Sequence, residues 1–185
     1  LFDKIVSISC FIDIEAFVRD DIAKKIALEL DRTAIYGTGS SNQPLGLTQT
    51  SGIGSQSLTG TGTFSEFIGM ETDVAVANAE GNAMKYLINA TTRGALKSTE
   101  KTSTSTANFV FENNQINGYQ AITTNQLLNN DAIFGDFSQF IVGMWSGLDL
   151  TVDPFAGATS GTVRIIALQD IDYAVRQAGA FCFAT

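Results

Sequence analysis

Gly37-Thr38-Gly39-Ser40-Ser41 is the stretch whose residue types come nearest to a site of chemistry. Glycine-rich turns of this kind can cradle a phosphate with their backbone amides. A phosphate loop, however, follows a strand and carries Gly-Lys-Ser/Thr, whereas this turn follows a helical pattern and lacks that triplet. Two carboxylate pairs, Asp20-Asp21 and Asp170 with Asp172, carry groups suited to Ca²⁺ or general acid work. They fall on a polar helix face and a strand edge, where they read as surface charge. The chain has no His, which removes the usual base for a serine or cysteine nucleophile, and no Gly-x-Ser-x-Gly. Cys10 and Cys182 sit in apolar runs and read as small buried hydrophobes, with nothing in their spacing to argue for a disulfide. Two distant cysteines without His also disfavour zinc. No catalytic, cofactor-binding or metal-binding residue is therefore assigned.

Composition narrows the class further. At 185 residues the chain is long enough for one substantial domain or two small interleaved ones. Its 44% hydrophobic and 16% charged residues exclude disorder by composition. No apolar run approaches the roughly 20 residues that span a bilayer, and no signal-peptide pattern opens the chain, so a soluble product of intracellular origin is expected. The 11 Lys+Arg against 19 Asp+Glu leave a net charge of -8. The basic residues are scattered, and the pair Lys24-Lys25 lies among Asp20, Asp21, Glu29 and Asp31. That pattern argues against gripping a phosphate backbone and for solvation and mutual repulsion of subunits.

The elements that would position any such groups follow from periodicity. Residues 15–36 predict a long helix: Val18, Ile22, Ile26, Leu30 and Ala34 recur every fourth residue, with Phe17, Leu28 and Ile35 widening the stripe. Asp20 with Lys24 and Asp21 with Lys25 stand acid before base at i,i+4, and Gly37 and Gly39 end the helix as left-handed caps would. Alternation over residues 6–14 suggests a strand before it. Residues 37–63 are loop-like, with a fixed turn at Gln43-Pro44-Leu45-Gly46-Leu47. Thr63-Phe64-Ser65-Glu66 is a capping box opening a helix with Phe64, Phe67, Ile68 and Val74 buried. Short strands are predicted over residues 85–88, 109–111, 120–123 and 132–134, a short helix over 91–98, and a polar loop over 98–106. Asp136 and Gln139 repeat the cap logic and predict another helix start. Residues 148–152 and 163–171 read as paired strands around a turn at Asp153-Pro154-Phe155-Ala156-Gly157, and 180–184 as a last strand.

Taken in order, these pieces resemble the HK97-like phage major capsid family. They are a long helix ending in Gly37-Thr38-Gly39, then Gln43-Pro44-Leu45-Gly46-Leu47, an apolar strand and short helix over residues 84–97, Gly118-Tyr119, Phe134-Gly135-Asp136-Phe137-Ser138-Gln139, and a tail of paired strands. The resemblance covers the chain from about Ile14 onward and departs in a longer Gly/Ser insertion over residues 51–62. The chain begins at Leu1 almost at the long helix, so it looks like a C-terminal fragment without the family's N-terminal arm and extended loop. The resemblance implies an α+β, HK97-like fold. A spine helix (residues 1–36, with core positions Val18, Ile22, Ile26 and Leu30) and tail strands (145–185) would form a peripheral domain, and residues 37–144 an axial domain. Gly37, Gly39, Pro44, Gly46, Gly118, Tyr119, Gly135, Asp136 and Gln139 are its structural motif positions. It also implies a non-enzymatic shell subunit without cofactor that assembles with itself into pentamers and hexamers around DNA it does not specifically bind, with no membrane. Scaffold, prohead protease and portal proteins would be its partners, the virion capsid its location, and the bacterial host cytoplasm the place of assembly. An encapsulin-like compartment shell and the capsid half of a protease–capsid fusion are the alternatives.

Overall fold

The computed structural model describes residues 14–102, 108–157, 160 and 162–185. The expected strand over residues 6–14, Cys10 and much of the polar loop at 98–106 lie outside that set. Helix α1 (Ile14–Tyr36) matches the four-residue spacing that predicts it. The chain divides into two compact units, one from the described parts of Leu1–Leu30 and Met144–Ile171, the other from those of Asp31–Gly143 and Asp172–Thr185. α1 passes from one to the other.

The larger unit is built on a seven-stranded mixed sheet. Its strands are β1 (Gly54–Gln56), β2 (Met84–Ile88), β3 (Phe111–Glu112), β4 (Gln115–Ile116), β5 (Tyr119–Thr123), β6 (Ala132–Asp136) and β11 (Phe181–Ala184). They lie in the order β1-β11-β6-β2-β5-β4-β3. All five residues of β6 are buried, Asp136 included, and the apolar run Ala132-Ile133-Phe134-Gly135 suits a central strand. Helix α2 (Phe64–Val76) lays Phe67, Met70 and Val74 into the core. Ile68, expected among them, is exposed on the opposite side of the helix. Register places Tyr86 opposite Phe134 and Phe134 opposite Cys182. Period-2 alternation therefore puts these three on one face, while Leu87, Ile122, Ile133 and Phe183 share the other. The capping box at the start of α2 forms, and Glu66 Oε2 accepts the Thr63 amide at 2.7 Å while Oε1 accepts that of Thr59 at 3.1 Å. The short helix α3 (Ala90–Leu96) is capped by Asn89, whose side chain accepts from the Thr91 amide at 2.8 Å.

Outside that sheet, β7 (Phe140–Met144) pairs with β10 (Ile171–Val175). In the smaller unit β8 (Asp149–Gly157) and β9 (Thr162–Leu168) form an antiparallel pair. Two sequence expectations give way here. The turn expected at residues 153–157 is strand, with Pro154 inside β8 at a register shift between Asp153 and Gly157, where a missing N–H is tolerated. The helix expected after Asp136 is a single 3₁₀ turn, Phe137–Gln139, because the next residues are drawn into β7. Residues 145–185 are divided between the two units, and Phe181–Ala184 is an inner strand of the large sheet.

Candidate functional site

The motif glycines meet at the end of α1. Gly37 N donates to Thr33 O at 2.8 Å, and the chain then folds back as a small hairpin bridged at Thr38 and Leu45. Ser41 and Asn42 take φ of 55° and 62° at its tip, the two left-handed residues of a type I′ turn closed by Gln43 N on Ser40 O at 3.1 Å. Gly46 N donates to Gly37 O at 2.8 Å. The two backbones are so close that a Cβ on Gly37 would stand 2.2 Å from Pro44 O, and one on Gly46 would stand 2.7 Å from Ile35 O. Gly37 is thus required for close approach and not, as its cap-like position suggests, for a left-handed φ; Gly39 holds that conformation, at +66°. Thr48 Oγ1 ties the returning strand to Ile35 O at 2.8 Å.

Beside this hairpin, Tyr36 anchors a polar knot that sequence reasoning missed. Its hydroxyl donates to Asp131 Oδ2 and accepts the Leu128 amide at 3.0 Å, while Thr185 Oγ1 donates to Asp131 Oδ1 at 2.9 Å. Burial, reinforced by the Asp131 carboxylate, pushes the Tyr36 pKa up. Asp131 is buried, yet its carboxylate has a donor on each oxygen, which is how a carboxylate is tolerated inside. Nothing in the local spacing of residues 36, 131 and 185 could reveal the knot. It exists only because the sheet brings them together.

The other motif positions serve the same scaffold. Gly118, at φ +88°, follows Asn117 (φ 48°) in the tight turn from β4 to β5. Tyr119 packs edge-on to Phe134 at 5.1 Å between ring centres, and Phe134 lies 4.4 Å from Tyr86. A Cβ on Gly135 would stand 2.4 Å from Ala180 O, so only glycine lets β6 and β11 pack there. Asp136 is buried and accepts the Ser138 amide at 3.0 Å. Its partner Gly81 went unnoticed in the sequence, although any side chain there would overlap the Asp136 carboxylate. Gln139 O accepts the Arg176 amide at 2.9 Å, beyond the end of β10. Pro44 is half-buried in the hairpin. Val18, Ile22, Ile26 and Leu30 form the less exposed side of α1 but stay half-buried, and Phe17 and Leu28 are 66% and 46% exposed. Among the described side chains of α1, only Thr33 and Ile35, in its last turn, are buried.

Chemically these groups bind one another. Cys182 is buried with its Sγ 3.6 Å from Asp73 Oδ2, and burial together with that carboxylate pushes the thiol up to about 12, so it keeps its proton. Asp20, Asp21, Asp170 and Asp172 are exposed. Among the described residues no three His, Cys, Asp or Glu side chains are grouped to hold a metal, and no helix is long and apolar enough to cross a membrane. The larger unit does carry an open cleft of about 360 Å³, mostly apolar, between the end of α1 (Ala34, Ile35) and the sheet (Leu87, Ile122), flanked by Phe137 and Phe140.

Motif glycines thus cradle the end of α1, and the side chains beside them bind one another. Residues 9–185 match the phage capsid family. The chain belongs to that family. The capsid chain is 36% identical over 171 residues to the major capsid protein of Halomonas phage phiHAP-1. Those residues are 92% of this chain and 28% of the relative, so the chain spans about a quarter of the length of the curated relative it matches. Among solved structures it is similar to the capsid of a native GTA particle, with a TM-score of 0.71 at 18% identity, covering 95% of this chain and 66% of that one. A chain of Gordonia phage Cozz gives a TM-score of 0.69 at 15% identity, covering 93% and 63%. The fold of this capsid chain is α+β and HK97-like, as the resemblance implied.

Proposed function

We propose that the chain is a structural subunit of a bacteriophage or prophage head, assembling with itself into capsomers of five and six copies and an icosahedral shell around DNA. The match of residues 9–185 to the phage capsid family carries this reading. The structure adds physical support, because its motif residues hold close backbone approaches and tight turns. Ring-forming contacts are heterologous and close only at a fixed rotation per copy, so a subunit must hold its shape to within small errors. The Gly37–Gly46 cradle and the Tyr36–Asp131–Thr185 knot supply that stiffness around the end of α1. A net charge of -8 suits a container that does not grip its genome. In this reading α1 is the spine, its unit with β8 and β9 is peripheral, and the large sheet is axial. Scaffold, prohead protease and portal proteins are the partners, and assembly takes place in the host cytoplasm.

The capsid half of a protease–capsid fusion is a second reading. It is favoured by the Halomonas phage relative, of which the matched 171 residues are only 28%. A parent reading frame encoding a protease ahead of this segment would support it. For the main proposal the test is negative-stain electron microscopy of the protein expressed alone and with its neighbouring genes. Uniform closed shells or capsomer rings are expected, and their contents separate a phage head from an encapsulin-like compartment. A product that stays monomeric under every condition would overturn the assembly reading and leave the fold.

A further inference from the structure

We propose that Glu71 is a proton-binding clamp: in its acid form it joins α2, β2 and the β4–β5 turn, and it loosens that junction when its proton is lost to solvent. The hydrogens around Tyr86 are too few for the acceptors it meets. The Tyr86 hydroxyl, on a fully buried side chain, lies 2.9 Å from Phe67 O and 2.6 Å from Glu71 Oε1. Both neighbours are acceptors when Glu71 is ionised, and a tyrosine has one hydrogen to give. One of the two contacts is then acceptor against acceptor, at a tyrosine whose own side chain is fully buried. A proton on Glu71 Oε1 resolves the conflict. The acid donates to Tyr86 Oη, Tyr86 donates to Phe67 O, and Glu71 Oε2 still accepts from Asn117 Nδ2 at 2.7 Å. The Tyr86 hydroxyl then donates once and accepts once.

The surroundings point the same way. Burial is the largest influence on Glu71 and raises its pKa, while Tyr86 and Asn117 act against it and the nearby Glu80 carboxylate adds to the rise; the net shift is upward. Burial first, and then the facing Glu71, Tyr119 and Cys182, push the Tyr86 pKa up, so it keeps its hydrogen. A carboxyl raised in the folded state contributes stability that is fully present below its unfolded pKa and lost as pH rises through the folded one. Acid therefore tightens this junction, opposite in sign to the usual paired carboxylate.

The test is a ¹³C NMR titration of the Glu side-chain carboxyls in the 185-residue chain, with Glu71 assigned by the signal missing from Glu71→Gln. A Glu71 midpoint above the ordinary glutamate value is expected, and one at or below that value would overturn the proposal. Thermal unfolding is the second readout. Gln presents an N–H₂ to Tyr86 and an oxygen to Asn117, imitating the acid. Glu71→Gln is thus expected to equal the parent chain in acid and to unfold at a higher temperature than it above neutrality. A variant less stable than the parent at all pH values, with a low NMR midpoint, would assign Glu71 as an ordinary ionised acceptor.

Discussion

Gly37 shows how much a single missing methyl can carry. Its absent Cβ leaves room for Pro44 O and Thr33 O, which would otherwise lie 2.2 and 2.5 Å away. Neither is the end of a flexible side chain, so Gly37→Val must displace backbone. A loss of about 3 kcal/mol is expected, at the upper end for overpacking, read from the denaturant midpoint of the folded chain. An unchanged midpoint would mean that the hairpin does not lie against α1. Tyr36→Phe tests the neighbouring knot. It keeps the ring against Phe183 but takes one donor from the buried Asp131 and one acceptor from Leu128 N. A loss of about 1–3 kcal/mol is expected for groups left unpaired inside, and Asp131→Asn should recover part of it in the double variant. Phe134→Ala removes the ring that meets both Tyr86 and Tyr119; thermal or denaturant unfolding should show a loss of about 3–5 kcal/mol.

At the scale of elements, the cap of α2 and the Glu71 junction respond to pH in opposite directions. Burial raises the Glu66 pKa, but the Thr63 and Thr59 donors outweigh it and hold the carboxyl below its ordinary value. Its contribution is present above the unfolded pKa and lost as pH falls through the folded one. Glu66→Gln should therefore narrow the stability gap to the parent chain on acidification, in a series of thermal melts from about pH 3 to about pH 7; a gap independent of pH would remove the charge from the cap. This cap was legible in the sequence because Thr63 and Glu66 are three residues apart, as was α1 from its four-residue spacing. The strand β1 was not. Gly54-Ser55-Gln56 has no apolar alternation and is extended because it pairs in parallel with Cys182–Ala184, far along the chain. The Asp136 turn misled for the same reason in reverse: its local cap is real, but pairing with β10 takes the following residues into a strand. Local signals thus located elements and caps. Hydrogen-bonding partners supplied by distant residues decided the helix after Asp136, the turn at Pro154 and the Tyr36–Asp131–Thr185 knot.

For the whole molecule, the acidic excess sets an expectation of its own. Copies carrying a net charge of -8 repel one another, and salt shortens the reach of that repulsion to about 10 Å at 0.1 M. Assembly followed by light scattering should accelerate with added NaCl over this range; slowing would instead point to attractive charge pairs between copies. The position of β11 has a consequence in time. It lies between β1 and β6, parallel to one and antiparallel to the other, and its partners are made long before it. At a synthesis rate of about 5–20 residues per second, the ribosome spends seconds on a chain whose sheet has an open slot next to its edge strand. A chain halted before Phe181 has nothing to fill that slot, so the sheet closes only for chains read through to this strand. The order of synthesis thus leaves Gly54–Gln56 without its ladder partner until residues 182–184 have been made.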